Sequence, residues 1–329
     1  MNSISKYQLA AMLLITDAFC LFCTGGSISL VTLGGILSAA GVQFLMALSF
    51  TQYGGIDTKG QKMLFLVYLL FFGGTLFSSL WRTGSAIYIP YEERLGLCGR
   101  LLTAGLVALV CLYSSSTGIR AVSRAAVIAA AAGLLCIVID FGSAVFNADW
   151  NNISRPETHS YIYEFIRGFA LSGGLGSFFV LTGKVRGSRS SAAAVYFGAK
   201  AALTAAVLLT ALPVSGGIAD ITDFPVITAA QLSQPFEAQR IDSVFLVVFV
   251  SFAVFAVTVQ VMTASCLLKE LFPKFRRWRS SAVTVLIIGA ALLISGRELI
   301  LLRAAALAAV MLLTVLRTIK NPLPKQADR

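Results

Sequence analysis

The sequence predicts an all-α integral membrane protein of about ten transmembrane helices, arranged as two five-helix halves in inverted orientation. Three observations predict it. Of 329 residues, 57% are hydrophobic and 12% charged, and the mean hydropathy is +0.83, which leaves too little polar surface for a water-soluble domain. Apolar runs near the ~20 residues needed to cross the hydrocarbon core recur along the chain. Lys and Arg collect in alternate connections between those runs, the signature of a fixed membrane orientation.

In order, the runs are 7–25, 28–50, 62–89, 97–115, 119–146, 161–183, 191–214, 242–269, 280–296 and 299–317. The first two are joined by Gly25-Gly26 and the last two by Gly296-Arg297-Glu298. With a cytoplasmic N-terminus, the inner side holds Lys6, Lys59, Lys62, Arg120, Arg124, Lys184, Arg186, Arg189 and the basic run from Lys269 to Arg279. The outer side holds only Arg94, Arg155, Arg240 and Arg297. Both termini are then cytoplasmic. The formal charge of +11 reads as topology, not as a nucleic-acid surface. The cluster KFRRWR at Lys274–Arg279 fits a membrane-lipid headgroup site or a plain topology anchor. The chain reads as a single domain over 1–329, with repeats of approximately 7–146 and 161–296 and a final helix pair ending near 317.

Enzyme chemistry finds no foothold, since no P-loop, nucleophile elbow or HExxH occurs. No cofactor is implied. The six Cys lie mostly in apolar runs without paired ligands, and His159 stands alone, so no metal site is expected. The start, MNSISKYQ, enters an apolar run without a small-residue cleavage site, so no cleaved signal peptide is expected.

The sixth run carries Ser172-Gly173-Gly174-Leu175-Gly176-Ser177 near its middle. Three glycines in four residues make a poor helix interior, so the span is expected to break at mid-membrane. Such a break lines a cavity and binds small solutes in transporters, or its glycines let helices pack closely. Asp17 lies ten residues into the first run, about 15 Å deep. A membrane-embedded charge costs roughly 2.5–3.5 kcal/mol on insertion scales and persists where it is used. Its companion is a cation, a substrate ammonium or a proton, or else Arg82 or Lys200 from another span. Lys200 sits ten residues into the seventh run, where snorkelling is the alternative. Glu164 and Arg167 have the i, i+3 spacing of a structural ion pair. Asp140 is expected near outer water, and Arg100 and Arg303 near helix ends. In the eighth run, Ser251, Thr258, Gln260, Thr263 and Ser265 supply polar atoms, for helix contacts or a ligand-facing stripe. The loops 147–160 and 215–240 are longer than topology requires and suit lids or docking surfaces.

Four stretches resemble one family: ISKYQLAAMLL (Ile4–Leu14), the segment Ile89–Ile128 containing LYSSSTGIRAVSR, the loop DWNNISRP (Asp149–Pro156), and FPVITAAQ with QRIDSVFLVVFV (Phe224–Val250). They look like the spore-germination permeases, the membrane B subunits of germinant receptors in the amino acid/polyamine/organocation superfamily. Tyr113, Gly118, Arg120, Arg124 and the Arg240-Ile241-Asp242 motif carry the resemblance most specifically. It implies a LeuT-like fold and a small germinant, commonly an amino acid, held between helices one, three, six and eight. It also implies partner receptor subunits in the inner membrane of an endospore. The chain departs from the pattern in its compressed first two spans, in Asp17, and in Ile89-Pro90-Tyr91 where a Thr-Pro is usual. The expected ligand site is Asp17, Ser172, Gly173, Gly174, Gly176, Ser177 and Thr258. Backbone groups at the glycines would meet a carboxylate and Asp17 an ammonium, with Lys200 and Arg82 as coupling or ion-pair residues. An amino acid/cation symporter of the same superfamily is the second reading, and a membrane scaffold with an occluded site the third.

Overall fold

A computed structural model describes the chain except for residues 1–2, 54–55, 57, 88–104, 155–159, 221, 233–241, 274–278, 295–298 and 321–329. The turns at Ile89-Pro90-Tyr91 and Gly296-Arg297-Glu298, Arg100, Pro156, Arg240 and most of the KFRRWR cluster therefore lie outside the described residues. The described helices are α1 (Lys6–Phe22), α2 (Leu30–Tyr53), α3 (Lys59–Ile87), α4 (Gly105–Thr117), α5 (Ile119–Ala144), α6 (Tyr161–Ala170), α7 (Leu175–Leu181), α8 (Arg189–Ser215), α9 (Pro225–Leu232), α10 (Asp242–Leu271), α11 (Arg279–Ile294) and α12 (Ile300–Lys320).

Five of these, α2, α3, α5, α8 and α10, are long and apolar enough to cross a membrane. The pair α6 and α7, bent by 44° at its break, passes the same length and composition test when taken together. α4, α11 and α12 are apolar but shorter within the described residues, so the full count of ten rests on the sequence. Side chains facing outward from mid-helix are apolar, among them Ile128, Val138, Val247 and Val285, as a hydrocarbon solvent requires.

Local chemistry starts the helices where the sequence signals them. At α1, the Gln8 N–H donates to Ser5 Oγ at 3.2 Å and the Ser5 N–H to Gln8 Oε1 at 2.9 Å, a capping box that satisfies two orphan donors. Ser160 and Ser188 cap α6 and α8 by their side-chain oxygens alone, accepting from the Tyr163 and Ser191 N–H groups. α4 and α5 are separated only by Gly118 at φ +90°, in the left-handed region that glycine enters at no steric cost. The N-terminal residues return to the bundle at the α7–α8 connection: Ile4 exchanges backbone bonds with Lys184 and Arg186 at 3.0 and 2.9 Å. Lys6 Nζ donates to Ser191 Oγ at 3.0 Å. The N-terminus and the basic connection 184–189, assigned to one side from their cations, thus lie at the same end of the bundle.

α1 is the hub. It packs against α5, α7, α8 and α10, is buried along nearly its whole length from Leu9, and locks to α10 by rings such as Phe19 on Phe249 at 5.4 Å. Because every side of α1 is covered, Asp17 must find its partners inside the protein.

Glycine brings the other helices close. α2 and α6 meet where a Cβ on Gly35 would lie 2.6 Å from Glu164 Cβ and 2.7 Å from the Glu164 carbonyl carbon. The obstacle includes backbone, so Gly35→Ala is expected to force α2 and α6 apart at a cost of about 1–3 kcal/mol. Chemical unfolding in detergent reads this directly, and Gly41→Ala, where a Cβ meets nothing within 4 Å, is the control expected to be silent.

The long loop 215–240 is not a free excursion. Its α9 lies on α5 and α8, with Val226, Ile227, Ala229 and Ala230 buried. The loop 147–160 braces the end of α8, with the Asp149 N–H and Asn152 Nδ2 both donating to the Pro213 carbonyl, at 3.2 and 3.1 Å.

Candidate functional site

A helix interrupted inside a membrane must satisfy its freed backbone groups within the protein. α6 ends with the Leu171 N–H on the Arg167 carbonyl at 3.0 Å, and α7 begins with the Phe178 N–H on the Gly174 carbonyl at 2.9 Å. Between them two backbone groups have side-chain partners. The Gly174 N–H donates to Asp17 Oδ1 at 2.8 Å. The Gly173 carbonyl accepts from Gln260 Nε2 of α10 at 3.0 Å, and Gln260 Oε1 takes the Ser177 hydroxyl at 3.4 Å.

Asp17 is in turn neutralised from α8. Its Oδ2 accepts from Tyr196 Oη at 2.5 Å and lies 3.2 Å from Lys200 Nζ. Tyr196 and Lys200 are four residues apart and so share one face of α8. The Lys200 ammonium has three donors, and each has an acceptor: Asp17, Ser172 Oγ at 2.6 Å and Gln43 Oε1 of α2 at 3.4 Å. The Ser172 hydroxyl in turn donates to Gln43 Oε1 at 2.6 Å. Asp17 and Lys200 are each only 5% exposed and Ser172 not at all. Side chains of α1, α2, α8 and the α6–α7 break therefore meet at one buried ion pair.

The three glycines let this happen by close approach. A Cβ on Gly173 would lie 2.8 Å from Cys20 Sγ and 2.9 Å from Phe72, one on Gly174 2.8 Å from Tyr196 Oη, and one on Gly176 would overlap the Tyr68 ring. The helix is therefore interrupted where the glycines predict, and the interruption is tightly packed. The backbone N–H expected to meet a solute carboxylate is taken by Asp17, and the cation facing Asp17 is Lys200.

The remaining predicted residues separate. Thr258 does not face the break: it donates to Cys111 Sγ of α4 at 3.5 Å. Arg82 is not at Asp17 either. Its guanidinium lies 5.8 Å from the Phe224 ring centroid, and it lines a cavity of about 50 Å³ with Arg167 and Arg303. Arg167 is the structural partner expected of Glu164, at 3.0 Å with both side chains 1% exposed. It also donates to the Ser27 carbonyl at 3.1 Å and to the Gly25 carbonyl. Arg303 does not snorkel but turns inward, 4.8 Å from the Phe72 ring centroid. Asp140 is buried, not at water, and accepts from Cys136 Sγ at 3.2 Å. Sequence reasoning misses Gln43 and Tyr196: the position of Tyr196 one turn from Lys200 is its only signal, and Gln43 on α2 gives none. Among the described residues, no group of three His, Cys, Asp or Glu could hold a metal ion.

No protein-family model matches the chain, and no curated protein is significantly similar to it. Its fold, however, is that of solved transporters. The chain superimposes on Mhp1, a nucleobase-cation-symport-1 family transporter, in a closed conformation with bromovinylhydantoin bound, at a TM-score of 0.64 and 14% identity. That match covers 95% of this chain and 78% of Mhp1. The inward-facing conformation of Mhp1 gives a TM-score of 0.58, again at 14% identity, over 95% and 77% of the two chains. The architecture is therefore LeuT-like, and the neighbours are transporters, not enzymes.

Proposed function

We propose that this protein is a membrane transporter of the LeuT-like class that moves a small solute, with the Asp17–Lys200 pair as its coupling element. One observation carries the reading: a buried carboxylate on α1 both satisfies the backbone of a broken span and neutralises a lysine on α8. Such a contact joins α1, in the first of the two halves expected from the sequence, to α8 in the second, and in this class one half moves against the other. A coupling cation or proton that competes with Lys200 for Asp17 would release Gly174 and Ser172 together. The similarity to Mhp1 supports this symporter reading over the sensor.

The germinant-receptor reading shares the fold and differs in the fate of the ligand, which would be bound without crossing, beside partner subunits in an endospore inner membrane. Its support is the motif resemblance around Tyr113–Arg124 and Asp149–Pro156. Reconstitution into proteoliposomes separates the two. Uptake of a radiolabelled amino acid, nucleobase or hydantoin that depends on an imposed cation or proton gradient is the expected result. A compound that raises the melting temperature of the purified protein but never enters the vesicles would replace the transporter with the sensor.

A further inference from the structure

Three guanidinium groups line one cavity at the end of the bundle where α1 turns into α2. Arg82 comes from α3, Arg167 from α6 and Arg303 from α12, with Thr24 and Thr75 between them. The acid beside them, Glu164, is already committed, since both of its oxygens accept from Arg167 Nη1, at 3.2 and 3.0 Å. Arg303 has no carboxylate partner among the described residues. It rests on the face of Phe72 and donates to Cys20 Sγ at 3.8 Å, and its Nε–H, like that of Arg167, is buried without an acceptor. A guanidinium held in an apolar span by a ring face and a thiol has donors to spare. Its planar fork suits a carboxylate.

Place and size sharpen the assignment. A volume of about 50 Å³ exceeds what a single water occupies and suits a head group of a few atoms. The cavity reaches to the edge of the break, because Ala170 and Leu171 at the end of α6 line it, and Cys20 and Phe72, which hold Arg303, lie closest to Gly173 beyond it. At the break itself the negative pole is filled by Asp17. We infer that the Arg303 cavity binds a small carboxylate, the anionic end of the transported solute, about two helical turns along α1 from Asp17. This rests on the transporter reading for the solute and on the arginine geometry for the carboxylate.

The test uses the full-length purified protein at constant ionic strength, with sodium acetate and sodium chloride as probes and melting temperature as readout. Acetate is expected to stabilise saturably and chloride not, with alanine displacing labelled acetate. Arg303→Gln is expected to weaken acetate binding by roughly tenfold or more, the loss of one charge-assisted contact. Arg303→Lys, which keeps the charge without the fork, is expected to recover part of it and guards against a merely misfolded variant. Equal stabilisation by chloride and acetate, no saturable effect, or undiminished acetate binding in folded Arg303→Gln would overturn the site. Acetate binding that alanine cannot displace would overturn its place on the solute path. Gradient-driven uptake without acetate binding would sink this inference alone, and acetate binding without uptake of any solute would sink the transporter reading alone.

Discussion

Lys200→Met is expected to destabilise the protein by about 3–5 kcal/mol, because it strands a carboxylate that is 5% exposed without its counter-ion. Asp17 would keep only the Gly174 N–H and the Tyr196 hydroxyl, two neutral donors for a full charge. Asp17→Asn alone should harm by a comparable route, leaving the ammonium facing Ser172 and Gln43. The double variant Asp17→Asn/Lys200→Met buries no net charge, and its amide oxygen can still accept from Gly174. It is expected to regain most of the loss, so the single effects will not add. Chemical unfolding of all three in detergent measures the coupling. A double variant as damaged as the sum of the singles would mean that the two side chains act independently.

Arg167→Ala is the second large effect, again about 3–5 kcal/mol, since it leaves Glu164 charged and 1% exposed. This arginine does more than pair. By donating to the Gly25 and Ser27 carbonyls it pins the connection between α1 and α2, where Gly26 sits at φ +87°. Faster amide hydrogen exchange is therefore expected at residues 24–29, while α10 stays protected. Arg167→Lys should restore the charge but not both carbonyl contacts, giving an intermediate stability. Unchanged exchange in the alanine variant would detach Arg167 from the turn.

The sequence marked the depth of each feature better than its direction. Asp17 and Lys200 were both legible as mid-span charges, and the glycine cluster as a break, because depth follows from counting residues along a run. What faces what depends on the rotation of each helix, and apolar runs in lipid carry little amphipathic signal to fix it. Thr258 and Gln260 show the consequence. Two residues apart, they point roughly 200° apart around α10, so one meets Cys111 of α4 and the other the Gly173 carbonyl. Arg303 misled for the same reason. Near a helix end, snorkelling is the ordinary expectation, but its inward rotation onto Phe72 and Cys20 comes from α3 and α1, distant in sequence. Gln43 has no local signal at all, since its role exists only once α2 and α8 are packed together.

The central claim is that solute movement is coupled through the Asp17–Lys200 pair. Uptake into proteoliposomes by the folded double variant Asp17→Asn/Lys200→Met tests it most directly, with melting temperature confirming that the solute still binds. The account predicts that this variant exchanges solute across the membrane but no longer accumulates it against a gradient, whatever cation or proton gradient is imposed. Gradient-driven accumulation equal to that of the unaltered protein would show that the pair is only structural.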